Sequence, residues 1–111
     1  MVGGIGYENA ELLYNIGIDL FWNDTVDYAI DRIRKKYNIV IRTIPVLTKE
    51  GIKYSANINH FDTKNNCSTD IPAHISWQTN IYRVKRRAIK RAAKWILAHK
   101  CKKVSIKSAK K

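Results

Sequence analysis

The period of the apolar positions changes along the chain, and each change predicts a different element. From Glu8 to Trp22 the residues Leu12, Leu13, Ile16, Leu20 and Phe21 recur at roughly helical spacing, which predicts a short helix weakened at Gly17 and Ile18. A start signal follows at Asn23-Asp24-Thr25, after which Val26, Ala29, Ile30, Ile33 and Tyr37 recur at steps of three and four. The spacing predicts a helix over about 25–37. Asp27 at its front and Arg32, Arg34, Lys35 and Lys36 at its back suit the helix dipole.

From Asn38 the texture turns to β-branched residues, Ile39-Val40-Ile41-Arg42-Thr43-Ile44, running past Pro45 to Val46-Leu47. Lys49-Glu50-Gly51 reads as a hairpin turn. The return strand alternates, with Ile52, Tyr54, Ala56, Ile58 and His60 on one face and Lys53, Ser55, Asn57 and Asn59 on the other. A polar loop is expected from Asp62 to Pro72, and a third short strand where Ala73, Ile75 and Trp77 alternate with His74, Ser76 and Gln78.

Thr79 is expected to cap a long helix ending near His99. On a wheel at 100° per residue, one arc of that helix collects Tyr82, Ala88, Ile89, Ala92, Ala93, Trp95 and Ile96. The opposite arc collects Arg83, Arg86, Arg87, Lys90, Arg91 and Lys94, with no acid at i±3 or i±4 to relieve them. The order helix, three antiparallel strands, helix, with room for an extra N-terminal helix, predicts an α+β fold in which a three-stranded sheet packs against helices.

Charge sharpens this picture. Residues 1–31 carry six acids and no Lys or Arg, whereas residues 83–111 carry thirteen Lys and Arg and no acid, and the whole chain stands at +12. Such asymmetry marks a chain that meets a polyanion. Three regions are expected: an acidic leader or short helix at 1–22, a basic domain at 23–99 and a flexible Lys-rich tail at 100–111. The 111 residues, 45% of them hydrophobic, suffice for one small core. No apolar run approaches 18 residues and no signal peptide is evident at the start, so a cytoplasmic protein is expected. Cys67 and Cys101 are too few for a disulfide framework or a zinc site and read as free thiols, with a single disulfide as the lesser alternative.

The α-β-β-β-α order with a basic, Ala-rich last helix resembles the double-stranded RNA-binding domain. Lys85-Arg86-Arg87-Ala88-Ile89-Lys90-Arg91-Ala92-Ala93 follows that family's K-K-x-A-K-x-x-A-A pattern, with Lys85 and Arg86 on the first two basic positions and Ala88, Ala92 and Ala93 on the alanines. Ile89 stands where the third Lys belongs, and Lys90 comes one step late. The loop Leu47-Thr48-Lys49-Glu50-Gly51 lacks the Pro and His with which the family enters a minor groove, and the family's helix-borne ribose contact has no clear counterpart. The resemblance covers roughly residues 24–99 and implies contact with duplex phosphates.

The expected function is therefore binding of duplex nucleic acid, RNA more than DNA, with little sequence specificity. The expected contact set is Lys85, Arg86, Arg87, Lys90, Arg91 and Lys94, with Lys49, Lys53 and the tail lysines auxiliary. Single-strand binding is less favoured, because the sheet's polar face carries no aromatic. Catalysis has little support: His60, His74 and His99 are scattered, and Gly3-Gly4-Ile5-Gly6 lacks the Lys and Ser/Thr of a phosphate loop and reads as a flexible leader. No cofactor or metal is expected, nor a membrane partner; an oligomer is open, since the acidic leader can meet a neighbour's basic helix. The alternative is a small non-enzymatic structural or host-directed protein, of the kind viruses encode, whose basic helix docks an acidic protein or a packaged genome.

Overall fold

In the computed structural model, which describes the backbone of residues 3–110 and the side chains of residues 3–99, six elements follow one another. They are α1 (Tyr7–Asn15), α2 (Val26–Tyr37), β1 (Ile39–Thr48), β2 (Gly51–Asp62), β3 (Cys67–Ile71) and α3 (Ile81–Lys110).

Local chemistry sets most boundaries. At the end of α1, Gly17 takes φ +84° while the Ile18 N–H donates to the Leu13 carbonyl and the Gly17 N–H to that of Tyr14. This is a Schellman turn, and its left-handed position is the one glycine fills without strain. Thr25 caps α2 by accepting the Tyr28 N–H at 3.2 Å. Asn38, at φ +57°, ends α2 and turns the chain directly into β1.

The three strands form an antiparallel meander in the order β1-β2-β3. Register places Ile41 opposite Ile58 and Ile58 opposite Ile71, so a row of isoleucines crosses the sheet. With Ile39 and Ala56 they form the buried face, against which α3 sets Val84, Ala88, Ile89, Ala92, Ala93 and Ile96. The small alanines let the helix lie close to the strands. Val26, Ala29 and Ile33 of α2 complete the layer.

The N-terminal segment belongs to this same core rather than leading up to it. Ile5, Leu13, Ile16, Ile18 and Leu20 are all buried, each such burial contributing about 1.5–3 kcal/mol. The glycine run expected as a flexible leader is pinned instead: the Ile5 N–H donates to the Asp24 carbonyl and the Val26 N–H to that of Gly3. The cause is Ile5, which is 1% exposed and drags its neighbours into register beside Thr25.

Three further expectations are corrected. The third strand is Cys67–Ile71, inside the segment expected as loop, and residues 73–77 are not a strand. Only Ile71 of β3 is buried, so the strand carries no apolar alternation, while Pro72 lacks an N–H and His74 sits at φ +51°, which interrupts pairing until Gln78 bridges to Tyr54. The cap of α3 is Asn80, not Thr79: its side-chain oxygen accepts the Tyr82 N–H at 3.0 Å. Finally, α3 continues past His99 to Lys110, in keeping with a stretch that contains no Gly or Pro. The side chains of the Lys-rich tail, and that of Cys101, lie outside the described residues.

Candidate nucleic-acid interface

Between Ile81 and His99, two helices and the sheet pack on α3 and leave one side of it open. Arg83, Arg87 and Lys94 are exposed on that side, and Lys90 and Arg91 are half-buried beside them. Arg83, Arg87, Lys90 and Lys94 follow one another at steps of four, three and four, so they form a ridge about 16 Å long at 1.5 Å per residue.

The expected six-residue set is therefore not one free stripe. Lys85 turns the other way, toward α2, where its Nζ lies 2.7 Å from the Asp27 carboxylate. Its position is only 40° from Ile81 on the wheel, inside the apolar arc. Arg86 reaches across to α1's approach and donates to the Gly4 carbonyl at 3.2 Å. Lys90 keeps its place on the ridge but donates to Glu8 at 2.6 Å. Arg91 donates from Nε to the Pro72 carbonyl, which ties the connection after β3 to the helix. Lys53 is bridged to Glu50 at 2.9 Å, and Lys49 is exposed in the hairpin turn. Neither lines the clefts beside the ridge.

The acidic N-terminal region thus neutralises part of the basic helix. Hydrogen bonding from Lys90, and then the charges of Lys90 and Lys94, hold the Glu8 carboxyl below its ordinary value of 4.5. The carboxylate therefore remains on the ridge throughout the neutral range. Asp31 pairs with Arg34 and Lys35 on its own helix, and they lower its pKa.

A cleft lies on each side of Arg87 and Lys90. One, of about 230 Å³, runs between α3 and the connection after β3, and is lined by Arg87, Lys90, Arg91 and Lys94 with Ala73, His74 and Ile75 opposite. No carboxylate lines it. The other, of about 280 Å³, lies against the start of α1, where Tyr7, Glu8 and Asn9 face Arg86, Arg87 and Lys90. Concave cationic surfaces of this kind focus potential more strongly than a convex ridge.

The outer ridge is legible in the helical period, whereas the place of Tyr7, Asn9 and His74 beside it is not. Tyr7 and Asn9 precede α3 by more than seventy positions, and no local period signals that α1 will settle beside it. Trp95, expected in the core, is half-buried: its ring caps the core between His60, at 5.2 Å between centroids, and His99, at 3.8 Å. Among the described residues no three His, Cys, Asp or Glu are grouped so as to hold a metal ion, and no helix is long and apolar enough to cross a membrane.

Fold and surface together define a mixed α+β chain, with helices on one face of an open three-stranded antiparallel sheet and a cationic ridge on its last helix. No family model, no curated protein and no solved structure matches it.

Proposed function

We propose that this chain is a non-catalytic nucleic-acid-binding protein that grips the phosphates of a duplex, RNA more than DNA, through the outer ridge of α3. The observation that carries the reading is the row Arg83, Arg87, Lys90 and Lys94 on the side of α3 that, among the described residues, is left most open. Three of the four are exposed, and the fourth is held only by a surface carboxylate that a phosphate can replace. The helix–sheet arrangement suits the resemblance to the double-stranded RNA-binding domain. Lys85 and Arg86, the first two basic positions of that pattern, are engaged within the chain, so the contact set moves outward and along the helix. Such a partner places the work inside the cell.

Four phosphates engaged imply a slope of log K on log salt near −3.6, at about −0.9 per phosphate, rather than the value near −5 that six would give. A mobility assay with duplex RNA, duplex DNA and single strands at two salt concentrations measures it. The double variant Arg87→Glu/Lys94→Glu, at exposed positions, is expected to lose duplex binding while its circular dichroism and Tm stay unchanged. Native-like binding by that folded variant would refute the ridge.

A second reading has its own support. Glu8 and Asp27 already sit on Lys90 and Lys85, so this helix accepts carboxylates, and an acidic protein partner would extend the same contacts. Heparin would compete only weakly with that partner, which would bind with a salt-tolerant apolar component; duplex binding shows the steep slope.

A further inference from the structure

The cleft at the start of α1 sets an aromatic ring and an unpartnered buried atom beside two of the ridge's own cations. Its first feature is aromatic. Tyr7 is 72% exposed and stacks on Trp22 with 5.1 Å between centroids and 24° between planes, so most of the Tyr7 ring remains open to a ligand. Its second is charge, from Arg87 and Lys90, which form the wall shared with the other cleft. Its third is an orphaned acceptor. Asn9 is 5% exposed and donates its amide N–H groups to the carbonyls of Ile5, at 3.1 Å, and Arg86, at 3.0 Å. Both donors being used fixes the amide's orientation, and the Asn9 Oδ1 is left buried without a partner. Buried polar atoms ordinarily have one, so this oxygen marks an unsatisfied place in the wall of the cleft, behind its surface rather than open to it.

An open ring face beside a pair of cations matches the chemistry of a nucleotide, the ring taking a base and the cations its phosphate. We propose that this cleft is a nucleotide subsite, in which an unpaired base stacks on the Tyr7–Trp22 pair while its phosphate is held by Arg87 and Lys90. The inference rests on the nucleic-acid reading and deepens it: the ridge takes duplex phosphates, and the cleft takes the unpaired nucleotide at a strand's end. Because Arg87 and Lys90 belong to both, a strand leaving the duplex passes from one into the other without crossing neutral surface. Binding displaces Glu8 from Lys90, an exchange of one anion for another at a solvent-exposed bridge. The aromatic pair comes from α1 and the loop before α2, not from the sheet.

Two arms test this on the full chain. In the first, adenosine monophosphate is titrated by NMR with adenosine and ribose 5-phosphate as controls, one lacking the phosphate and the other the base. Shifts at Tyr7, Trp22 and Arg87 with the nucleotide, and much weaker ones with either control, are expected. In the second, a blunt RNA duplex is compared with the same duplex carrying a two-nucleotide overhang. The overhang is expected to tighten binding by roughly five- to hundredfold, the range of one base–aromatic stack. Tyr7→Ala should erase that advantage and leave blunt-duplex affinity as it was, and Tyr7→Phe should keep it. Equal affinity for blunt and overhanging duplexes, together with no nucleotide-induced shifts, overturns the subsite while the ridge stands. Nucleotide-induced shifts without any duplex binding support the subsite as a site for free nucleotide and overturn the duplex reading instead. An overhang advantage that survives Tyr7→Ala also overturns the proposal.

Discussion

Single residues hold this fold at places where the backbone changes direction. Gly17 sits at φ +84°, and a Cβ there would lie 3.2 Å from the Lys36 Cε, so Gly17→Ala meets both an unfavourable φ and a tight though movable neighbour. A loss of about 1 kcal/mol is expected by urea denaturation. The Tyr37 hydroxyl donates to the Ile16 carbonyl across from that turn, and burial pushes the phenol's pKa up. Tyr37→Phe removes this tie and should cost about 1 kcal/mol, with no change in nucleic-acid binding. Glu8 is the residue where stability and binding meet. Its lowered pKa means that its contribution to stability is present above about pH 4.5 and fades only as the pH falls through the depressed folded value. Between pH 6 and 8 it therefore stays ionised, and duplex affinity should show no titration from Glu8. Glu8→Gln removes the anion that competes for Lys90, and a modestly tighter complex with the salt slope still at about −3.6 is expected in the mobility assay, since Lys90 is already one of the four contacts.

At the scale of elements, legibility follows burial. The helix expected over about 25–37 is found as Val26–Tyr37, because its cap, its dipole charges and its apolar spacing all agree. The long β1–β2 hairpin was equally readable, since Ala56 and Ile58 alternate with Asn57 and Asn59 and the turn has only two residues between Thr48 and Gly51. The strand β3 was not readable. Cys67, Ser68, Thr69 and Asp70 are exposed, and the strand is held by backbone pairing to β2 and by the turn in which the Asp62 side chain accepts the Lys64 and Asn65 N–H groups. Pairing of that kind leaves no apolar period to read. Of the candidate site, the outward direction of Arg87, Lys90 and Lys94 could be read from the wheel, while their counter-charges could not, because Glu8 reaches Lys90 only through the packing of α1 on α3. The exposed thiol of Cys67, on this edge strand, should react with a maleimide in the folded protein without a loss of Tm.

At the scale of the whole molecule, α3 is the member that the other layers share: α1, α2, β1 and β2 all pack on it. Residues 1–22 therefore cannot be treated as an appendage. Their removal takes Ile5, Leu13, Ile16, Ile18 and Leu20 out of the core, and at about 1.5–3 kcal/mol each this matches the whole stability of a small domain, about 5–15 kcal/mol. A chain beginning at Asn23 is expected to be unfolded by circular dichroism, and one that melts cooperatively near the full-length Tm would refute this account. The far end of the β1–β2 hairpin stands at the opposite extreme. Leu47 is 80% exposed and Ile52 50%, beyond the reach of β3 and bracketed only by Lys49, Glu50 and Lys53. An oily fingertip of this sort makes colloidal behaviour depend on a few ionic neighbours. At high concentration and high salt, where those neighbours are screened, the protein should cloud through its hairpin, and Leu47→Lys should clear the solution without altering the melt.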